Sequence, residues 1–445
     1  MMLRITQLLE SIGEHQAGVS FFLFSAAGVI GVVNGLICAP DLGPEIMNLA
    51  NNIARHGTFA NPFGSMPTGP TAANPPLYPF LVAGVVKLLR APNLVYGALF
   101  GGSMLANAIT AALLPRVSLV LYRNVIPGVI ASALWLSAMP VIPGWDTSYT
   151  VLGLLFLCVL TASTAGPSHS SQKVAGRAGI LCGFLFLLNP SSLLIVLPWI
   201  GFLLWRGKAN LRRSARSCGT MVMILFMFVA AWGGRNYYQL GAFVVRTQLG
   251  IALFVSNNDC AQSSILRDQL NGCYQSHHPN VNVHEAELLR ASGEVQYDRK
   301  RIADTKRWIR SNPAKFFEFT AARIHEFWFP AREVLPTDIV FSDAFRRWVN
   351  QQNRVAYAIW IITALSVPGL ILMTRRREPL TLFVLTVLAI YPLMYYVVVS
   401  DMRYRYPVLW LSLLPAGYFV GAALAKPAAK APAREQAADA MCRVG

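Results

Sequence analysis

The chain has few charged residues for its length. Asp, Glu, Lys and Arg make up 13% of its 445 residues, whereas hydrophobic residues make up 54%, and the mean hydropathy is +0.45. In soluble proteins roughly a quarter of the residues are charged. The composition therefore excludes an ordinary soluble globular protein and favours a chain that crosses a membrane several times.

Acidic residues are the scarcest charged type, with 21 Asp and Glu against 38 Lys and Arg, which gives a net charge of +17. Such an excess can indicate nucleic-acid binding. Here the cations fall in alternate short loops and on the C-terminal tail, which is the positive-inside pattern of membrane proteins. They are Arg116, Arg123, Lys173, Arg177, Arg206, Lys208, Arg212, Arg213, Arg216, Arg375, Arg376, Arg377, Lys426, Lys430 and Arg434. The pattern argues against nucleic acid as a partner.

The same charge pattern assigns a side to each loop. With both termini cytoplasmic, residues 41–80, 143–146, 235–353 and 400–405 are predicted to lie outside. We therefore expect a multi-pass protein of the cytoplasmic (inner) membrane with its outer loops on the periplasmic or extracellular face. The first apolar run has no small-residue cleavage site and is too long for a removed signal peptide, so it is expected to remain as a membrane helix.

Apolar runs long enough to approach a bilayer crossing recur along the chain. They lie near 18–39, 96–121, 125–142, 147–165, 178–190, 191–206, 217–234, 354–373, 379–399 and 406–424. The predicted fold is an all-α polytopic membrane protein with about ten transmembrane helices and a soluble insert on the outer face. The predicted parts are an N-terminal membrane module 1–234 with a first outer loop 40–80, the insert 235–353, C-terminal membrane helices 354–424, and a disordered cytoplasmic tail 425–445. Within the insert, residues 283–311 and 312–329 have helical spacing, separated at Ser311-Asn312-Pro313.

Cysteine is also sparse, and five of the seven cysteines lie in or beside apolar runs or on the tail. Cys260 and Cys273 lie in the long outer segment, where an oxidising compartment favours a disulfide; two unpaired thiols are the alternative. No Cys/His spacing matches a zinc site, so no metal ligands are assigned. The histidines of this segment, His277, His278 and His284, are interpreted as side chains of a solvated loop.

The first outer loop carries carboxylates directly after a membrane helix, where they are costly unless paired, solvated or functional. Pro44 suits a first helical turn that Gly43 or Asp41 can cap, and Gly57 suits a left-handed stop, so a helix is predicted to run to about His56. Glu45 would lie in its first turn. The helix dipole alone can favour a carboxylate there, which is the alternative to a catalytic role.

The order of several short motifs resembles the GT-C glycosyltransferases. After the first membrane helix come Glu45-x-x-x-Leu49-Ala50, Asn61-Pro-Phe-Gly64, Thr68-Gly-Pro-Thr71 and Pro75-Pro-Leu-Tyr-Pro79. Trp232-Gly-Gly-Arg-Asn236, Ser256-Asn-Asn258 and Asp401-Met-Arg-Tyr-Arg-Tyr-Pro407 follow later. The nearest branch resembles bacterial glycosyltransferase family 39, with the protein O-mannosyltransferases and the lipid A aminoarabinose transferase.

The resemblance implies a GT-C fold and an enzyme that transfers a sugar from a polyprenyl-phosphate donor at the outer face, usually with inversion. It implies that an acidic residue of the first outer loop serves as the catalytic base or binds the acceptor. By its spacing to Leu49-Ala50 this residue is Glu45, with Asp41 as the alternative. A second acidic residue is expected in the next outer loop and corresponds to Asp146. Capping of the helix that begins near Thr147 explains Asp146 equally well.

The donor phosphate needs cations. Many aminoarabinose-type members carry a lysine just before Pro-Pro-Leu, where this chain has Asn74, so other cations are expected to bind the phosphate. Arg403 and Arg405 are the first candidates, because guanidinium groups bind phosphate bidentately; Arg235 is a weaker one. Interfacial anchoring explains all three without a ligand. The predicted donor and acceptor pocket adds Tyr78 and Tyr404 to Asn74, although Tyr78 also fits an aromatic belt.

Two other classes of function remain open at this point. A transporter or flippase for a lipid-linked sugar would carry charges within its membrane helices, which are nearly free of them here. A non-catalytic envelope assembly protein would bind a partner through the insert. The sequence leaves the sugar open and allows a lipid, glycan or protein acceptor. It assigns no cofactor with certainty, although two outer-loop carboxylates could hold a divalent metal ion.

Overall fold

The computed structural model of the protein describes residues 15–38, 42–140, 142–162, 171–337 and 339–425. Within these residues the regular structure is helical, with two isolated β-bridges that join Ala60 to Pro70 and Ser264 to Ser400. The expectation of an all-α chain is confirmed.

The α-helices are numbered here along the chain. They are α1 Gln16–Cys38, α2 Pro44–His56, α3 Leu77–Leu89, α4 Pro92–Tyr122, α5 Ile126–Ala138, α6 Thr147–Ala162, α7 Ser171–Leu188, α8 Leu193–Arg206, α9 Leu211–Leu240, α10 Leu249–Ser256, α11 Ile265–Leu270, α12 Cys273–His277, α13 Val283–Ser292, α14 Glu294–Ser311, α15 Pro313–Trp328, α16 Asp343–Arg375, α17 Leu380–Ile390 and α18 Tyr406–Leu424. Short 3-10 helices cover Pro190–Ser192, Lys208–Asn210, Tyr391–Met394 and Met402–Arg405.

Several helices are apolar enough to cross a membrane. In the described part of the chain five of them also have the length: Gln16–Leu36, Pro92–Tyr122, Lys208–Leu240, Asp343–Arg375 and Met402–Leu424. Shorter apolar helices are Leu77–Leu89, Ile126–Ala138, Thr147–Ala162, Pro190–Arg206 and Leu380–Met394. The chain is a polytopic membrane protein, and these helices agree roughly with the expected number of crossings.

One predicted crossing is shorter than its apolar run. The run 379–399 forms a helix only as far as Ile390 and then a 3-10 turn over Tyr391–Met394. Pro392 lies in that turn, and a proline removes a backbone donor that a continuing α-helix would use. The apolar residues Val398 and Val399 therefore leave the helix and line a cavity that is described below.

Close backbone approach holds the membrane helices together. A Cβ atom at Gly417 of α18 would collide with the carbonyl of Pro127 in α5, and one at Gly369 of α16 would collide with the carbonyl of Pro415. Lipid chains are as apolar as leucine, so membrane helices gain contact through small residues that let backbones meet. The neighbouring Trp410 of α18 is fully buried at the centre of the bundle.

The insert is built from short helices with marked stops. The helical pattern over 283–311 forms two helices, because Gly293 between them has a left-handed φ of 77°. Pro313 then begins α15 after Asn312. Cys260 and Cys273 are joined by a disulfide that anchors the start of α12.

Four chain segments that are distant in sequence meet at one end of the bundle. The first loop contacts the insert where Thr247 N donates to Ala72 O and Gly64 N donates to Asn280 Oδ1. The insert in turn contacts the segment before α18, through Ile265 N and Ser400 O. The turn before α6 packs so tightly on the first loop that a Cβ at Gly144 would collide with the Leu42 backbone. A large cavity lies among these segments.

Candidate active site

The cavity has a volume of about 820 Å³. Its polar lining includes Glu45 of α2, His278 of the insert, and Asp401 and Arg403 from the segment before α18. Apolar side chains form much of the rest, among them Ile265, Leu266, Phe345, Trp348, Val355, Val398 and Val399. An apolar cavity with a few convergent polar groups is the usual form of a ligand site.

Glu45 reaches the cavity from the first turn of α2. The helix begins at Pro44 and ends at Gly57, whose φ of 68° provides the left-handed stop that the sequence predicts. Glu45 is buried, and its Oε1 lies 3.6 Å from Nε2 of His278. Its Oε2 has no hydrogen-bond partner among the described residues. Asp268 and Glu294 also have a buried carboxylate oxygen without a partner, but of these three residues only Glu45 lines the cavity, which makes it the candidate for chemistry.

Arg403 also belongs to the polar lining of the cavity. Asp401 caps the short 3-10 helix Met402–Arg405 by accepting from Arg403 N at 2.9 Å, and its other oxygen lies 2.9 Å from Arg403 Nε. The guanidinium lies over the Trp145 ring at 3.9 Å. An ion pair on one edge and an aromatic face below fix its orientation. In this orientation Arg403 lines the cavity.

Tyr404 also lines the cavity, as the sequence-based hypothesis proposes for the pocket. Its ring stacks on Tyr395 with centroids 4.5 Å apart. Arg403 Nη2 approaches the Tyr404 hydroxyl at 3.5 Å, so the arginine and the tyrosine form one continuous polar surface.

Arg246 is a second cation near this surface, and sequence reasoning missed it. Its side chain is exposed, its Nε donates to Ala73 O at 2.8 Å, and its Nη2 donates to Gln248, which lines the cavity. Its charge acts on both Glu45 and Asp146. Among the described residues no carboxylate forms an ion pair with it. Arg246 thus has no carboxylate partner there, and it lies next to the cavity lining without being part of it.

Asp146 lies beside the cavity-lining Trp145 but is not itself among the lining residues. Its Oδ2 accepts from Thr150 Oγ1 at 2.7 Å and from Asn189 Nδ2 at 3.0 Å. Burial raises the pKa of Asp146, while these two hydrogen bonds oppose the rise. In this position Asp146 ties the start of α6 to the end of α7, and its predicted assistance in catalysis stays a prediction.

Arg405 lies only two residues from Arg403 but does not line the cavity. It is fully buried, donates to Ser412 Oγ at 2.6 Å, and lies over the Trp328 ring at 4.4 Å. Because residues 402–405 form a helical turn, the two arginines point in different directions. This geometry does not support the predicted contact of Arg405 with the donor phosphate.

Three further predicted site residues lie outside the cavity lining. Arg235 donates to Thr71 O at 2.6 Å, to Phe59 O at 3.0 Å and to Asn236 Oδ1 at 2.9 Å. Tyr78 donates to Pro143 O. Asn74 is buried, and its Nδ2 has no partner among the described residues. The first two fix the first loop in place, while Asp41 lies outside the described residues.

The described residues contain one group of three side chains whose metal-ligating atoms lie close together, formed by Cys260, Cys273 and His277. The two sulfurs are joined in the disulfide, so the group does not fit a metal ion. The carboxylates of Glu45 and Asp401 both line the cavity.

Sequence reasoning also missed Asp401 and His278 as lining residues. The sequence interprets His278 as part of a solvated loop, and this is wrong: it is only 6% exposed, because Tyr274 stacks on its ring at 4.6 Å and Phe63 packs against its edge. Asp401 had a detectable signal, since an aspartate followed by a basic turn before a helix indicates a cap.

Comparisons with known proteins bear on the fold. Neither protein-family profiles nor curated sequences match the chain. Among solved structures, the archaeal oligosaccharyltransferase AglB from Archaeoglobus fulgidus, determined in complex with an inhibitory peptide and a dolichol-phosphate, is similar with a TM-score of 0.52 at 10% identity. The chain therefore shares its overall fold with this oligosaccharyltransferase. The similarity covers 92% of this chain and 50% of the archaeal chain, so this chain spans about half the length of that relative.

Proposed function

We propose that this protein is a membrane glycosyltransferase that moves a sugar from a polyprenyl-phosphate donor to an acceptor hydroxyl. The observation that carries the proposal is the cavity in which the unpartnered Oε2 of Glu45 and the guanidinium of Arg403 lie among loops of a GT-C-like fold. The archaeal relative is an oligosaccharyltransferase solved with dolichol-phosphate, which supports a lipid-linked donor.

The proposed reaction uses Glu45 as the base. The acceptor oxygen attacks the anomeric carbon of the sugar while its proton passes to Glu45, and the bond from the anomeric carbon to the phosphate oxygen breaks. The polyprenyl phosphate leaves with the bonding electron pair. Positioned cations stabilise that developing charge, and Arg403 and Arg246 would supply them. Attack opposite the leaving group would invert the anomeric configuration.

The remaining details are proposals of the same kind. The positive-inside pattern supports an active site on the periplasmic or extracellular face of the cytoplasmic membrane, with both termini inside. The apolar side of the cavity, with Phe345 and Trp348, suits a polyprenyl chain or another lipid. The motif order supports the branch of family 39, with a lipid, glycan or protein acceptor.

A transfer assay tests this function directly. Purified full-length protein in vesicles is incubated with radiolabelled polyprenyl-phosphate sugars and a membrane extract that supplies acceptors. We expect label to move to an acceptor with the wild type and not with Glu45→Gln. A flippase would instead carry the intact lipid-linked sugar across the vesicle bilayer without breaking it, and a non-catalytic assembly protein would do neither.

A further inference from the structure

His278 is the closest basic side chain to Glu45 among the ion pairs of the described residues, and it comes from the insert rather than from the membrane bundle. It follows α12, whose first residue Cys273 is tied by the disulfide to Cys260. His278 N also donates to Tyr274 O at 2.9 Å. The backbone of His278 is therefore anchored from both the disulfide side and its own helix.

The hydrogen bonds of the imidazole determine which nitrogen carries its proton. Asn280 N donates to His278 Nδ1 at 3.0 Å, so Nδ1 must present a lone pair. A neutral imidazole with an accepting Nδ1 carries its hydrogen on Nε2. Nε2 is the atom that lies 3.6 Å from Glu45 Oε1. The neutral ring thus offers a donor to the carboxylate.

The surroundings favour this neutral form. Burial lowers the pKa of His278, and the charge of Glu45 opposes that effect. Tyr274 stacks on the ring. Two further charged groups act on this cluster, Arg403 through Tyr274 and Arg246 through Glu45. The 3.6 Å separation is longer than a hydrogen bond. Catalytic hydrogen bonds are often long without substrate and shorten when it binds.

We propose that His278 is a positioning residue whose Nε2–H holds Oε1 of Glu45, so that Oε2 stays directed to the acceptor hydroxyl. This rests on the proposed function of Glu45 as the base. His278 neither donates nor removes a proton in the reaction. The insert then completes the active site by supplying a neutral donor, which orients the carboxylate without neutralising its charge.

This role requires an N–H at the position of Nε2 and an uncharged side chain. Substitution by Gln and substitution by Leu should therefore have different effects. Gln places an amide N–H near that position, whereas Leu has a similar volume and no donor. We expect His278→Leu to lower kcat about 10–100-fold, because misplacing a catalytic group by about 1 Å can cost that much. We expect His278→Gln to stay within about fivefold of the wild type. In both variants KM for the donor should change little.

The matched control is His284→Leu, which changes an exposed histidine of the same insert. It should leave kcat, KM and the thermal midpoint as in the wild type. The acid side of the wild-type pH–rate profile should include protonation of His278, because the imidazolium cannot accept from Asn280 N. The profile of His278→Gln should be shallower there. Equal losses of kcat in the Leu and Gln variants, or full activity in the Leu variant while Glu45→Gln is inactive, would overturn the proposal.

A readout without catalysis keeps this proposal separate from the proposed function. Nitrogen NMR of the histidine-labelled protein in nanodiscs, with His278→Gln to assign the signal, should show a proton on Nε2 and none on Nδ1. Glu45→Gln should shift the Nε2 signal and lower the pKa of His278 further, since a neighbouring negative charge is lost. A protonated Nδ1, or a signal that ignores Glu45→Gln, contradicts the proposal even where no sugar transfer is found. Absent transfer with the expected NMR behaviour would instead reject the enzymatic function alone.

Discussion

The polar groups at the loop end of this protein fall into two regions that use the same residue types in different ways. In the cavity wall, Glu45 keeps an oxygen without a partner, and Arg403 is paired on one edge only. The second region, called the scaffold here, contains the polar groups outside the cavity lining. There Arg235 donates hydrogen bonds to carbonyl and amide oxygens, and Arg405 contacts aromatic rings and Ser412. Arg405 Nε and Nη1 are also buried without partners among the described residues, so a missing partner does not by itself indicate catalysis; Glu45 and Arg403 differ from Arg235 and Arg405 in that they line the cavity.

The sharpest test of this contrast compares two buried glutamates. Glu45→Gln is expected to lower sugar transfer about 10²–10⁴-fold, the usual contribution of a general base. Glu294→Gln is the matched control, since Glu294 is also buried and its Oε2 also has no partner among the described residues, but it lies outside the cavity lining. Its Oε1 accepts from Ala72 N and Thr247 Oγ1, which a Gln oxygen can still do. Transfer rates and thermal midpoints of both variants decide the matter. Similar losses of rate in the two would remove the distinction between wall and scaffold.

The next test compares the two arginines that are neighbours in sequence. Arg403→Met should lower kcat/KM for the donor about 30–100-fold, because a charge-assisted hydrogen bond contributes about 1.5–3 kcal/mol. Arg405→Met should keep kcat/KM within about threefold and act on the thermal midpoint instead, because a buried cation can be replaced by an apolar side chain at modest cost. Steady-state kinetics at several donor concentrations measure the first effect. The reverse pattern would assign the phosphate to Arg405.

A smaller effect is expected for the cation that sequence reasoning missed. Arg246→Gln should raise KM for the donor about tenfold, since its exposed guanidinium is one of two proposed for the phosphate. Arg235→Gln should instead cost about 2 kcal/mol of stability through its lost bonds to Thr71 O and Phe59 O, with KM unchanged. Titration of donor binding alongside thermal unfolding separates these outcomes. An unchanged donor affinity in Arg246→Gln would leave Arg403 as the sole proposed phosphate ligand.

The last prediction concerns stability rather than catalysis, at a scaffold carboxyl group in α11. Burial raises the pKa of Asp268 to about 7, although Gln262 N and the charge of Arg323 oppose the rise. The folded protein thus binds this proton more tightly than the unfolded chain does. The stability that this proton provides is present at acid pH and is lost as the pH rises through about 7.

Asp268→Asn should therefore raise the thermal midpoint relative to the wild type above that pH and change it little well below it. Unfolding curves recorded on both sides of the transition measure this. A difference between variant and wild type that is constant across pH would show that the carboxyl group does not titrate in this way.

Much of the helical framework was predictable, because local rules decide it. Pro44 and Gly57 mark the limits of α2, and the apolar runs mark the membrane helices. The ends of two helices were not predicted. The helix in the run 379–399 stops at Ile390 before Pro392, and the helix expected over 283–311 is broken at Gly293. Periodicity in both runs continues past the residue that ends the helix, so the hydrophobic pattern hides the break.

The candidate site was predictable only in part. Glu45, Arg403 and Tyr404 line the cavity as the motifs suggest, whereas Asp146, Asn74, Tyr78, Arg235 and Arg405 do not. A motif records residue types and spacing. It does not record whether a side chain turns toward a cavity or toward a backbone carbonyl, and that choice depends on the neighbouring segments.

By itself the sequence determined that this chain crosses a membrane with α-helices, because low charge and long apolar runs leave the backbone no other way to satisfy its hydrogen bonds in lipid. It also placed Glu45 in the first turn of a helix that begins at Pro44. Only the tertiary structure decided that His278, Arg403 and Glu45 share one cavity, because they come from the insert, the segment before α18 and the first loop. Their proximity depends on contacts between residues far apart in sequence, such as Gly64 with Asn280 and Ile265 with Ser400, which no local pattern encodes.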